Sequence, residues 1–410
     1  MDNITHSLVG ALTAEMAVAF LKIKKPECVV SRRTRVVFLL SALLGSNLCD
    51  LDFIISLLLK PTRLQYLLHH RGHTHTLITA PFQAGLIFLG FWFFGKFKKI
   101  YWDKVEITGI VLLSFLGVVL HLLFDSLNQY GVHPFWPFYN GWFYADMLFI
   151  VEPWVWVTLL PLLFFSSGNR FFRAFIFSVF IAGLALIWFS GFIPWGLAAV
   201  ITTWSGFIFI LFMYFGNHTR IAICISALFL ICLVFGLESR WLKNEIKTRF
   251  EKEEVGVEVK DVILSPFPSN PLCWHLVTVE TLPTRLNYKL RRGIVALFSN
   301  LYTPEQCLHL ISAKEVVTKT NSNVVWTTEM KLSRQELQKL YKKSCYVAAQ
   351  LKFVRAPFWY QKNGKLYFAD LRFETGGRGN FSSFEIPSDT TECPRFVPPW
   401  IEPRLDLLTD

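Results

Sequence analysis

Charge is what this chain has least of. Only 17% of its 410 residues are Asp, Glu, Lys or Arg, against about 25% in ordinary soluble proteins. With 53% hydrophobic residues, 40 Phe and 14 Trp, and a mean hydropathy of +0.39, an ordinary soluble protein is excluded. The N-terminus lacks the basic start and small-residue cleavage site of a signal peptide, so the first apolar segment should be retained. Neither an internal repeat nor a low-complexity tract is present. Cys28, Cys49, Cys224 and Cys232 have no metal-binding spacing, and Lys and Arg are missing altogether from the connections 128–147 and 193–195.

The apolar residues fall in runs. A bilayer core takes about 20 of them as a helix, and eight segments qualify, near 7–21, 36–58, 77–94, 107–127, 148–165, 171–192, 196–215 and 221–236. The first is short enough to be re-entrant. The fold expected is a polytopic α-helical membrane protein of about seven or eight transmembrane helices with a C-terminal soluble α+β domain. A formal charge of +11 would suit nucleic acid, but the positives sit mostly in short loops, where they report topology. Lys22, Lys24, Lys25, Arg32, Arg33 and Arg35 follow the first segment; Lys96, Lys98, Lys99 and Lys104 follow the third; Arg170 and Arg173 follow the fifth. Those loops should be cytoplasmic and 128–147 opposite, although Lys60, Arg63 and Arg71 in the 60–76 loop run against the pattern. Eight spans put residues 1–6 and everything after 237 outside the cytoplasm.

Composition divides the chain into a membrane-embedded domain over 1–237, a charged, helical linker over 238–256 and a soluble domain over 257–410. In the last, Trp274 to Glu280 and Val324 to Lys331 read as strands, and Phe358 to Phe373 as a hairpin closed by Asn363-Gly364. Ser333 and Glu336 have the spacing of a capping box for a helix to Lys343. The sheet should be mainly antiparallel. Cys273, Cys307, Cys345 and Cys393 are an even number, compatible with disulfides in an oxidising compartment or with four buried thiols.

Against this apolar background, His69-His70-Arg71-Gly72-His73-Thr74-His75-Thr76 places four imidazoles within seven residues. His6, the pair Asp50 and Asp52, and the pair His121 and Asp125 add donors beside other hydrophobic runs. Ionisable groups there are costly to desolvate and read as a functional site. Zinc and similar divalent ions take imidazole nitrogen and carboxylate oxygen, and a catalytic site keeps one position for water. His121 and Asp125, four apart, project from one helix face, and by the loop charges all of these pieces reach the same membrane face. Each also has a structural reading: His6 as an interfacial side chain, Asp50 and Asp52 as a helix-end turn, His121 and Asp125 as a hydrogen-bonded pair, Arg71 as a topology charge.

Met1-Asp2 with Thr5-His6, Asp50-Leu51-Asp52, His70-Arg71-Gly72 followed by Thr74-His75, His121 with Asp125, Tyr130-Gly131, Trp136-Pro137-Phe138, and Asp146 with Glu152-Pro153 together resemble the YdjM-like family of inner-membrane proteins, from the N-terminus to about residue 160. Cys49 stands where the family tends to have proline and Glu152 where it tends to have aspartate; the position of His73 looks variable, which favours His70 and His75. A distant similarity to the all-helical zinc phospholipase C group is also visible. The resemblance implies a membrane-bound metal-dependent hydrolase of the bacterial inner membrane. The residues expected to hold the metal, most simply zinc, are His6, Asp50, Asp52, His70, His75, His121 and Asp125. Asp146 would be a further ligand or general base, Arg71 would orient an anionic substrate group, and His69 or Asn128 would support the ligands. The partner expected is a membrane lipid or lipid-linked substrate bearing phosphate, not nucleic acid. The alternatives are an ion or metal transporter and a non-catalytic, metal-stabilised scaffold.

Overall fold

A computed structural model describes residues 1–409 except 25–29, 53, 55–62, 285, 312–318, 322, 375–380 and 388–392, and the side chains of 319–321 also fall outside the description. The end of the expected 36–58 segment, with Lys25 and Lys60, therefore lies outside the described residues.

The membrane part is built from α1 (Asn3–Lys24), α2 (Arg32–Asn47) running into a 3-10 turn (Leu48–Leu51), the short α3 (Arg63–His69), α4 (Ala80–Lys98), α5 (Lys104–Ser126), α6 (Pro153–Ser166), α7 (Arg170–Phe189), α8 (Trp195–Tyr214) and α9 (Asn217–Glu253). Among the described residues six helices, α1, α2 with its turn, α5, α7, α8 and α9, are long and apolar enough to cross a membrane. The first, at 22 residues, is a full-length helix and not a stub. The other two expected segments correspond to α4, of 19 residues, and to the shorter apolar helix α6, whose 14 residues contain Pro161.

Small residues let three of these helices approach closely, as membrane interfaces require. A Cβ on Gly117 of α5 would lie 2.7 Å from Ser46 N of α2, and one on Gly45 would run into the Ser114 backbone. This contact sets the height of His121, one turn beyond Gly117, against the end of α2.

The last membrane helix does not stop at residue 237. It continues unbroken to Glu253, and the expected linker is its C-terminal half. Leu242, Ile246 and Phe250 of this stem pack with Trp274, Leu276 and Trp326 of the soluble domain in one core continuous with the membrane bundle.

The soluble domain carries two antiparallel sheets. The first has the order β1 (Glu258–Phe267), β2 (Asn270–Thr281), β3 (Asn287–Ala296), β5 (Val324–Ser333), β4 (Lys319–Asn321); the second comprises β6 (Pro357–Lys362), β7 (Lys365–Asp370) and β8 (Phe384–Glu385). Strand alternation sends Trp274 and Leu276 of β2 toward the stem and Val277 and Val279 to the other face. There they meet α11 (Arg334–Lys343) and α12 (Cys345–Leu351), which follow α10 (Pro304–Ile311) and precede α13 (Leu405–Leu408). Ser333 caps α11 through Glu336 N, and Asn363 and Gly364, both at positive φ, close the β6–β7 hairpin. Disulfides join Cys273 to Cys307 and Cys345 to Cys393.

Candidate metal centre

Three pieces of chain bring four side chains together at the soluble-domain end of α1, α2 and α5. The 3-10 turn brings Asp50, the loop after α3 brings His75, and the last turns of α5 bring His121 and Asp125. One ligand atom from each lies within 4.8 Å of all the others. His121 Nε2 is 3.1 Å from His75 Nε2, 3.5 Å from Asp50 Oδ1 and 3.4 Å from Asp125 Oδ2; His75 Nε2 is 3.5 Å from both carboxylates. Bonds of about 2.0–2.1 Å in a tetrahedron put neighbouring ligands about 3.3 Å apart, so these five separations match the edges of a zinc-sized site.

The imidazoles are oriented from behind. His121 Nδ1 lies 2.8 Å from Ser46 O; a carbonyl only accepts, so Nδ1–H donates and the Nε2 lone pair faces the cluster. His75 Nδ1 has Thr74 Oγ1 at 3.0 Å and Asp52 Oδ2 at 3.5 Å, which turns its Nε2 the same way. Two lone pairs facing each other at 3.1 Å repel unless a proton or a cation lies between them. Burial lowers the His75 imidazole, but the carboxylates of Asp125, Asp50 and Asp52 around it push it up to about 9. The surroundings therefore favour a positive charge at this point. Asp125 Oδ2, fully buried, has no hydrogen-bond donor, and such an atom is costly to leave unpaired. Fixed imidazoles, facing carboxylates and an orphaned oxygen fit a divalent ion.

The other residues named from the sequence occupy distinct places. His6 stacks on His121 at 3.8 Å, with Nε2 3.3 Å from Asp125 Oδ1. Asp52 accepts from Arg71 N at 2.9 Å and lies 3.2 Å from His70 Nδ1, so His70 meets Asp52 rather than the four-residue group. Arg71 is buried. Its guanidinium reaches Asp125 Oδ1 at 3.0 Å and Asn128 Oδ1 at 3.0 Å and lies over the Tyr130 ring, so it is a counter-ion of the site and not a topology charge. His69 is drawn toward the backbone of Phe396, and burial lowers its imidazole. Asp146 is outside the group: Arg355 holds both of its oxygens at 2.8 and 3.1 Å and Lys243 holds one at 2.7 Å.

Sequence reasoning missed three participants. The Met1 amine sits against Asp125, Asn3 Nδ2 donates to Asp50 Oδ2 at 2.9 Å, and the soluble domain reaches over the histidine loop. Trp400 stacks on His133 at 3.9 Å, lies 4.9 Å from His73 and donates to Leu68 O at 3.3 Å. The Asn3 signal was available in its place beside the His6 motif; the Trp400 contact joins residues 332 apart and carried no local signal.

Residues 1–193 match the model of the YdjM inner membrane protein family, the family whose motif the sequence resembles. The uncharacterized protein YfhP of Bacillus subtilis (strain 168) is 22% identical over 160 residues, 39% of this chain and 44% of that protein, so the chain covers under half the relative's length. No solved structure matches.

Proposed function

We propose that this protein is a membrane-bound metal-dependent hydrolase whose centre is Asp50, His75, His121 and Asp125. The observation that carries this is the pair of imidazole nitrogens aimed at each other across a gap that two carboxylates also face. A divalent ion there, zinc by donor set and spacing, would polarise the scissile group and lower the pKa of water. Asp52 and Ser46 O hold the two imidazoles in the required tautomer, His6 buttresses His121, and Arg71 offsets part of the carboxylate charge.

Access favours an amphiphilic substrate. Of the four residues only Asp50 is appreciably exposed, its side chain at 18%. Its surroundings are apolar: Leu51 is exposed, Ile4 lies beside the Asn3 that bonds Asp50, and Tyr66 stacks on His70. A phosphate-bearing lipid or lipid-linked molecule presents its headgroup at that depth. Sidedness follows from two independent signs. Lys22, Lys24, Arg32, Arg33, Lys96, Lys98, Lys104 and Arg170 flank the helix ends opposite the cluster, as in cytoplasmic loops, and the disulfides belong to an oxidising compartment. The centre and the soluble domain are therefore extracytoplasmic.

Metal analysis of the purified protein, coupled to a hydrolysis screen on lipid phosphodiesters, tests the reading. We expect bound divalent metal, and loss of most of it together with activity in the His75→Ala/His121→Ala double variant. Wild-type metal content in that variant would remove the centre; metal without hydrolysis of any phosphoester would favour the scaffold alternative.

A further inference from the structure

The end of the bundle opposite the metal centre holds a second polar feature. A cavity of about 920 Å³ opens between α1, α2, α6 and α7, lined on its polar side by Glu15, Arg32, Arg35, Asn169 and Arg170. Arg32 and Asp50 are 18 residues apart on nearly continuous helix, which at about 1.5 Å per residue separates cavity and metal centre by about 27 Å, close to the thickness of a bilayer core.

Three guanidinium groups and a single carboxylate line the cavity. Glu15 is already held by Arg35 at 2.8 and 3.2 Å and by Asn217 Nδ2 at 3.1 Å. Two neighbouring arginines are committed to backbone, Arg173 Nε to Ser167 O at 2.6 Å and Arg220 Nε to Phe212 O at 2.9 Å. Arg32 and Arg170 make no ion pair among the described residues, and both line the cavity. Each begins a helix, α2 after the cap Ser31 and α7 after the cap Asn169, so the positive ends of two helix dipoles add to their charge. The remaining wall is apolar, formed by Val36, Leu39, Leu163 and Phe172.

We propose that this cavity binds the headgroup of an anionic phospholipid, its phosphodiester on Arg32 and Arg170 and its first acyl carbons along the apolar wall. Basic pockets between membrane helices suit such headgroups. The excess positive charge selects against zwitterionic lipid, and the apolar wall at the ends of membrane helices selects against free phosphate. The site does not depend on the metal centre.

The test uses the full-length protein in zwitterionic detergent, with retained lipid counted by native mass spectrometry after addition of phosphatidylglycerol or phosphatidylcholine. The wild type should retain phosphatidylglycerol preferentially. Arg32→Gln/Arg170→Gln should weaken that retention roughly 20-fold, whereas Lys98→Gln/Lys104→Gln, an equal charge loss on the same face, should leave it within about twofold. Unchanged metal content shows that the arginine variant is folded, and if it is not, Arg32→Lys/Arg170→Lys with the wild-type lipid preference decides the matter. Equal retention of the two lipids, equal loss in the lysine control, or displacement by inorganic phosphate alone overturns the proposal.

Discussion

Two buried ionic clusters lie at the junction of the membrane bundle and the soluble domain, and they are opposites. Around Arg355 the charges close on themselves: its guanidinium bonds both oxygens of Asp146 and both of Asp261, while Lys243 completes Asp146. Burial alone would lower the arginine, but these carboxylates hold it well above its ordinary range. Around His75 the charges stay open: Arg71 and the Met1 amine both meet one oxygen of Asp125, Asp52 takes the Arg71 backbone N–H and the histidines, and the other Asp125 oxygen has no donor. A closed cluster fastens two parts of a protein together. An open one, equally buried, holds affinity for something it does not contain.

The largest effect should come from breaking the closed cluster. Arg355→Met leaves Asp146 with Lys243 alone and Asp261 with only Arg404 at 3.6 Å, and losing the central partner of a buried cluster costs about 3–5 kcal/mol. The soluble domain should then melt or detach well below the wild-type temperature, read by calorimetry and by proteolysis within 238–256, while metal content persists. Loss of metal at the same temperature would mean the two clusters are one cooperative unit. Asp146→Asn is the milder form; if Asp146 fastens the domains rather than serving as a base, it lowers stability and leaves the hydrolytic rate per bound metal unchanged.

Breaking the open cluster should do the reverse. Asp125→Asn keeps the volume and one acceptor oxygen but removes the charge that holds a dication, so metal affinity should fall by more than about 100-fold, beyond the range typical of supporting residues. Hydrolysis should vanish with it. Compared without metal, the variant should keep the soluble domain attached, although Arg71 and the Met1 amine lose a buried partner and lower the stability of the membrane part. Near-normal turnover with excess zinc would leave the His121 to Asp125 contact as a structural hydrogen bond.

The open cluster was far more legible in the sequence than the closed one. Its members are ionisable residues in four short motifs set beside apolar runs, and their cost in a membrane identifies them without any partner being known. What periodicity could not give is which atoms face each other. His121 Nδ1 is turned by the carbonyl of Ser46, and that contact depends on Gly117 letting two helices touch. Asp146 lay within the same family motif, so the sequence grouped it with the ligands; its partner Arg355 is 209 residues away in a domain with no motif of its own. Hydropathy marked the α6 segment but not that its helix would hold Pro161 and be only 14 residues long. The strands, the Asn363-Gly364 hairpin and the Ser333 cap were local and readable.

A smaller effect separates ligand from support. Asp52 meets His75 at Nδ1, accepts from Arg71 N and lies against His70. Asp52→Asn should weaken metal binding by about 10- to 100-fold, measured by competition with a zinc chelator, and should leave residual turnover where Asp125→Asn leaves none. An effect as large as that of Asp125→Asn would move Asp52 into direct contact with the ion.

The smallest effect tests whether the two clusters communicate. The segment after Cys393 reaches the histidine loop through Trp400, whose carbonyl accepts from Lys352 and whose indole rests on His133 and His73. If this contact merely covers the loop, Trp400→Phe retains the stacking and loses one hydrogen bond to Leu68 O, worth about 0.5–1.5 kcal/mol. Metal affinity should then change by no more than the corresponding factor, about 2- to 13-fold, because Asp52 and Thr74 still orient His75 from within the membrane part. The chelator competition resolves a change of that size. A drop to the level of Asp52→Asn would mean that the soluble domain, and not the loop's own Thr and Gln hydrogen bonds, sets the position of His75, and the closed cluster would then be holding the open one in shape.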